Sequence, residues 1–454
     1  MPNKVNYIPN TEADIKLMLK EIGVKSIDDL LQDIPKELLC KPINIPYGIS
    51  EMELKHSLKS LSDKNASLNK YTSFLGAGAY DHFIPSVVDH LSGRGEFYTC
   101  YTPYQSEVSQ GTLQAMYEFQ SMMCELLAMD VTNASMYDGA SALAEAAKLA
   151  LKYKQKEKII VSKTVHPEYR EILSTYLQGS DVKLVELEIE NGITSVSDLE
   201  SRIDKNTACV LIQTPNFFGC LEDNEGLVAL THKNEALFVE CVNPMALGII
   251  KPPGEYNADI AVGDVQVLGN YVYYGGPHAG FFATSKELMR KMPGRIAGAT
   301  TDSKGRRGYT LTLQAREQHI RRGRATSNIC TNQQLLALRA CIYLSTLGKA
   351  GMIEVGKLNV YKSHYAMTRL CELDEIELLF DKPFFNEFAI KFSGNCEIKD
   401  INKRLFEAGI IGGLDISRFY PDIHNAMLLC VTETKSKGDI DELVQTVSNI
   451  IGKG

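Results

Sequence analysis

From residue 131 onward the chain takes strand and helix in turn over about 160 residues, and this alternation restricts its fold more than any other feature. ASMYDG reads as a short strand running into the alanine-rich helix ASALAEAAKLALKY. KIIVS is a strand and HPEYREILSTYL a helix; VKLVELEIE and VSDLESRI repeat the pair. ACVLIQTPN is a strand ending in a turn, GLVALTHKN is helical, and ALFVECVN and ADIAVGD are strands. GFFATSKELMRKM reads as strand followed by helix. Strands separated by helices pair in parallel and are covered on both faces, so the expected class is α/β with a large, mostly parallel sheet. Ligands of such sheets bind at the carboxyl ends of the strands.

Four of those ends carry polar residues in order. Gly139, Ala140 and Ser141 follow Asp138 at the start of a helix, where backbone N–H groups and a hydroxyl form a cup for phosphate. Taken alone, this is an ordinary N-cap. His166 follows KIIVS and precedes Pro167; a histidine there stacks on a flat ring or simply caps. Glu240 closes ALFVE, where a carboxylate meets a ring nitrogen or faces solvent. The fourth end leads into YYGGPHAGFF, whose glycines and His278 shape a loop for close approach of a ligand. Together the order is phosphate cup, ring stacker, carboxylate and Gly-rich loop. That is the layout of a pyridoxal-phosphate site in the aspartate-aminotransferase type of fold, where a lysine beside the loop forms the Schiff base. Yet no lysine, serine or cysteine lies between Gly263 and Thr284.

The rest of the chain reads as follows. Residues 1–70 are a helical segment. Thr11 caps ADIKLMLKEIG, Ser26 caps SIDDLLQDIP, KPINIPYG is a connector, and ISEMELKHSLKSLSDKN is a further helix. Residues 71–330 form the large domain. Its entry is loop-rich, and GAGAYD there lacks the third glycine of a dinucleotide fingerprint. QGTLQAMYEFQSMMCELLAM spaces apolar residues and Gln120 at three to four, a long buried helix. Residues 331–454 read as a small α/β domain entered by the helix NQQLLALRACIYLSTLG. The net charge of −8 argues against a general nucleic-acid binder, and no apolar run reads as a bilayer span. Eleven scattered cysteines without CxxC pairs suit free thiols in a reducing, cytoplasmic compartment rather than a zinc site.

Several long strings carry a resemblance. FLGAGAYDHFIPSVVDHL, FYTCYTPYQSEVSQGTLQAMYEFQ, YDGASALAEA, GGPHAGFFA and LTLQAREQHIRRGRATSNICTNQ resemble the P-protein family of the glycine cleavage system, in its two-subunit form, almost from end to end. The resemblance implies pyridoxal-phosphate fold type I and a divided enzyme. A beta subunit carries the cofactor lysine; this chain matches the alpha subunit, its diverged relative. Val272 lies about where the lysine would stand, with Lys251 and Lys286 in the wrong elements. Gly139, Ala140, Ser141, His166 and Glu240 are then vestigial, and Glu240 stands where such sites usually have aspartate.

Residues lent to the partner's site are expected in RRGRATSNI: Thr326 and Ser327, with Arg322 or Arg324 adding charge. Tyr101, Tyr104 and Gln105, and His278 from the loop, are further candidates. The implied reaction is glycine decarboxylation on the partner's pyridoxal phosphate, with transfer of the aminomethyl group to the lipoyl arm of H-protein, in an alpha-2-beta-2 heterotetramer. The alternatives are a purely structural or regulatory subunit, and a self-sufficient pyridoxal-phosphate enzyme.

Overall fold

The computed structural model describes residues 9–40, 44–46, 48–329, 332–394 and 397–452; the connector KPINIPYG and the boundary at 330/331 fall partly or wholly outside them. The chain divides into two compact units, Met1–Lys70 and Tyr71–Gly454. In the first, helix α1 spans Glu12–Ile22. Thr11 and Asp14 form its capping box, and Gly23 ends it with φ at +85°. Helix α2, Glu51–Ser62, has the same box from Ser50 and Glu53. Between them the expected SIDDLLQDIP helix shrinks to a 3₁₀ turn, Asp28–Leu31, although Ser26 Oγ still accepts from Asp29 N.

The second unit is built on a seven-stranded sheet. Helix α3, Gln110–Leu127, precedes strand β1, Val131–Thr132, and helix α4, Gly139–Lys154. Then come β2 (Lys158–Ser162), α5 (Pro167–Leu177), β3 (Lys183–Leu187), β4 (Thr207–Thr214), β5 (Leu237–Val242), β6 (Ile260–Asp264) and β7 (Gly280–Thr284). Their order across the sheet is β1-β7-β6-β5-β4-β2-β3. β2 to β6 run parallel, and β7 pairs antiparallel with β6 and β1. The parallel strands are apolar on both faces because both are covered. Val239 and Cys241 of β5 join the α4 side of the core, while Phe238 joins Val228 and Tyr256 on the other.

Two expectations shift here. ASMYDG contributes one isolated bridge, Met136 to Gly280, and the edge strand comes earlier, at Val131–Thr132. SKELMRKM makes turns rather than a helix, since Pro293 and Gly294 cut it short. An antiparallel hairpin, Ile296–Thr301 with Arg307–Thr312, leads into the arginine segment instead. Buried Gln120 of α3 docks that hairpin: its Nε2 donates to Ala297 O (3.0 Å) and its Oε1 accepts from Ala297 N (2.9 Å), as a neighbouring strand would.

Helix α6 runs Gln334–Cys371 with a break at Gly348 (φ +59°, ψ −175°). By length and composition it is apolar enough to cross a membrane, contrary to the sequence reading. Leu336, Ala340, Tyr343, Met352 and Leu370 nevertheless supply two protein cores from it. Beyond it, β8 (Ile376–Leu378), β9 (Glu387–Phe392), β10 (Leu414–Asp415) and β11 (Ala426–Cys430) form an antiparallel sheet ordered β8-β9-β11-β10. The helices Ile398–Glu407 and Lys437–Ile451 pack on it.

Candidate functional site

The cup forms, but it is already filled by the chain. Asp138 caps α4, its Oδ1 accepting from Ser141 N (2.7 Å), and Ser141 Oγ turns back to Asp138 O (3.1 Å). Gly139 N donates to Asp264 Oδ2 (3.2 Å), and Asp264 Oδ1 accepts from Gln266 N (2.8 Å). Asp264 ends β6 and is the residue the sequence reading missed. Its signal was the terminal aspartate of ADIAVGD, just before the Gly-rich loop. Burial pushes its carboxyl up to about 7, while the bonds from Gln266 and Gly139 act the other way. Gly139 has no room for a Cβ, which would meet Tyr169 Oη at 2.6 Å.

His166 is held as a neutral ring. Its Nε2 lies 2.9 Å from Ala77 O, a pure acceptor, so that nitrogen carries the proton. Its Nδ1 accepts from Glu168 N (3.2 Å), capping α5 with Pro167 as the first helical residue. Burial lowers its pKa. Tyr169 and Phe217 pack against the ring, with centroids 5.0 and 5.1 Å away. His278 lies over Asp264 (Nδ1 to Oδ2 3.8 Å) and against the backbone of Val272, and burial lowers its pKa too. Gly275 and Gly276, at φ +94° and +145°, let the loop turn there.

Glu240 does not join this group. β5 continues to Val242, so Glu240 is interior to the strand and points to the sheet's opposite face. There its carboxylate accepts from Asn224 Nδ2 (2.8 Å) and from Tyr256 Oη. Burial pushes it up to about 8. One residue of strand register reverses the facing of a side chain, which the reading of ALFVE as a complete strand did not capture.

These residues do not fit pyridoxal phosphate. A phosphate at the start of α4 would meet the Asp138 carboxylate and the Asp264 carboxyl, which already takes the Gly139 N–H, and no lysine stands between Gly263 and Thr284.

A second group lies on the arginine segment. Arg295 is buried, and its Nη2 donates to Tyr104 Oη (3.0 Å) with the guanidinium 5.3 Å from that ring. Glu317 approaches Arg295 at 3.9 Å and His319 at 3.6 Å. Tyr104 and the segment thus come together. Tyr101 is exposed by 73%, and Gln105 and Arg322 are exposed as well. Arg322 has φ at +53°, a strained backbone for a residue with a side chain. Ser327 lies beside Glu145 of α4 and draws that buried carboxyl down, although burial keeps it raised. Arg324 and Thr326 line a cavity of about 300 Å³ with Lys152, Arg290, Lys291, Arg316 and Arg321.

The family model for the glycine cleavage system P-protein matches residues 5–447. The chain belongs to the P-protein family. A probable glycine dehydrogenase (decarboxylating) subunit 1 of Carboxydothermus hydrogenoformans is 50% identical over 444 residues, covering 98% of this chain and 99% of that one. The crystal structure of glycine decarboxylase (P-protein) of the glycine cleavage system, in inhibitor-bound form, is 43% identical with a TM-score of 0.89. The match covers 98% of this chain and 100% of that one. A sphingosine-1-phosphate lyase of Burkholderia pseudomallei is 15% identical with a TM-score of 0.66 over 92% of this chain and 93% of its own, and so shares the fold alone. The fold is pyridoxal-phosphate fold type I, an α/β fold with a large, mostly parallel sheet.

Proposed function

We propose that this chain is the non-lysine subunit of glycine dehydrogenase (decarboxylating), an oxidoreductase acting on the CH–NH₂ group with a disulfide acceptor. The family match over nearly the whole chain supports the activity. The observation that carries the division of labour is the cup: Asp264 occupies the backbone donor that a cofactor phosphate would need. In this reading pyridoxal phosphate sits on a partner subunit and supplies the electron sink for decarboxylation. Glycine is the substrate, the lipoyl arm of H-protein the acceptor, and the assembly an alpha-2-beta-2 heterotetramer in the cytoplasm. The described cysteines are free thiols, in keeping with a reducing setting.

This chain's own part is to shape the partner's pocket. Thr326 and Ser327 offer hydroxyls, and Arg322 and Arg324 offer charge, toward the partner's cofactor phosphate. Tyr101, Tyr104 and Gln105 close the same pocket, Tyr104 being steadied by Arg295. His278 orients its loop over Asp264 or closes the pocket from this side.

The test is to add pyridoxal phosphate and glycine to this chain alone, to the partner alone, and to both. Borohydride should trap no pyridoxyl-lysine on this chain, and turnover should appear in the mixture above the partner's own rate. Substituting Thr326→Ala with Ser327→Ala should then lower turnover with the complex intact. A pyridoxyl adduct on this chain would overturn the reading. Full activity of the double variant would leave it a purely structural subunit.

A further inference from the structure

We propose that the cavity between the end of α4 and the arginine segment is a built oxyanion site, taking a phosphate-class ligand. Six cations converge on it: Lys152, Arg290, Lys291, Arg316, Arg321 and Arg324. No carboxylate lines it, and none of the six makes an ion pair among the described residues. Like charges gathered without ion pairs of their own repel one another, Glu317 beside Arg316 offsets this in part, and a bound anion removes the rest.

Arg316 gives the site its direction. Nη1 donates to the backbone oxygen of Met292, which fixes the guanidinium plane. Nε and Nη2 are buried and have no hydrogen-bond partner among the described residues. They form one edge of the fork, the edge that grips an oxyanion through two parallel bonds. Two buried donors without acceptors are costly, and a phosphate oxygen pair satisfies both. Arg321 Nε donates to Ala315 O (3.2 Å), holding the turn that carries it. Thr326 adds a hydroxyl to the wall. At about 300 Å³ the cavity admits a small phosphorylated molecule or inorganic phosphate rather than a folded domain.

The site is separate from the chain's own cup. Gly139 and Lys152 lie at opposite ends of α4, about 20 Å apart along its axis at the usual helical rise. It rests on the functional reading at Arg324 and Thr326, which both use. The phosphate therefore has two possible sources, the cofactor held by the partner subunit or a free phosphate ester.

The experiment is calorimetric titration of the full chain, without partner, with inorganic pyrophosphate at two salt concentrations. Saturable one-to-one binding is expected. Arg316→Gln should weaken it about tenfold or more, as should Arg321→Lys, which keeps the charge but loses the fork and is checked for an unchanged melting temperature. Lys403→Gln, an exposed cation on another helix, should leave it unchanged. No saturable binding, or equal loss in all three variants, would overturn the site. Adding the cofactor-loaded partner then identifies the source. Displacement of pyrophosphate assigns the site to the cofactor phosphate, and retention assigns it to a free ligand; both uphold an oxyanion site. Glycine turnover in the mixture is read separately. Binding without turnover sinks the functional reading and spares the site, and turnover without binding does the reverse.

Discussion

The strand-end cup and the arginine-lined cavity lie at the two ends of α4 and are built on opposite terms. At the cup the capping and strand-end groups have internal partners: Asp138 caps the helix, Asp264 takes two backbone donors, and His166 is bonded through both nitrogens, while His278 Nε2 is buried without a hydrogen-bond partner among the described residues. At the cavity the cations outnumber any internal partner, and Arg316 keeps a buried edge free. A pocket whose helix-start donor is taken by its own strand-end carboxyl has little bonding capacity left for a cofactor phosphate. A cationic face that keeps donors beyond those its own backbone takes has capacity to spare, which is what a site for another molecule needs.

The comparison can be broken at several points. Removing an internal carboxylate from the knit region should cost most. Glu387 accepts from Ala77 N (2.6 Å), beside the carbonyl that holds His166, and from Tyr80 Oη (2.6 Å), so Glu387→Ala leaves two half-buried donors unpaired. It should lower unfolding free energy by about 3 kcal/mol in urea titrations. Gly78→Ala comes next. Gly78 has φ at +101°, and an added Cβ would lie 2.8 Å from His166 Nε2. A loss of about 2 kcal/mol is expected, and a neutral result would show that the His166 contact is not tight.

A smaller effect concerns pH. Burial raises Asp264 and Glu387 to about 7 and Glu240 to about 8. Each keeps its proton in the folded chain at a pH where the unfolded carboxyl, near 4, has lost it. Their stabilisation is full below about pH 4 and is lost as pH rises toward 7–8. The urea midpoint should therefore fall between pH 5 and pH 8, and Asp264→Asn or Glu240→Gln should each flatten that fall. An unchanged slope would mean that these groups ionise freely.

The smallest effect belongs to the cavity. Arg290→Gln with Lys291→Gln should shift the melting temperature by no more than about a degree, since both are exposed and unpaired. A large loss would show that the cationic face supports the fold rather than a ligand.

Much of this was legible in the sequence because it is local. The alternation gave the parallel sheet, Thr11 and Ser50 gave the caps, and the missing lysine could be seen directly. The break in α6 falls at Gly348, where the helix read from NQQLLALRACIYLSTLG ends. What escaped was contact between distant segments. Glu240 looked like a strand-end carboxylate, but its register sends it to Asn224 and Tyr256. Asp264 looked like a strand terminus, but it meets Gly139, 125 positions earlier. Lys152, Arg290 and Arg316 gave no motif, since they are scattered along the chain.

The sequence by itself determined the kind of sheet, the family, and the absence of a Schiff-base lysine in the loop, because periodicity, motif strings and residue identity are properties of the chain read in order. Only the tertiary structure decided that a carboxylate sits in the cup and that six cations share one cavity. Which groups meet depends on strand register and on loops brought together by packing, and neither is written in any single stretch of residues.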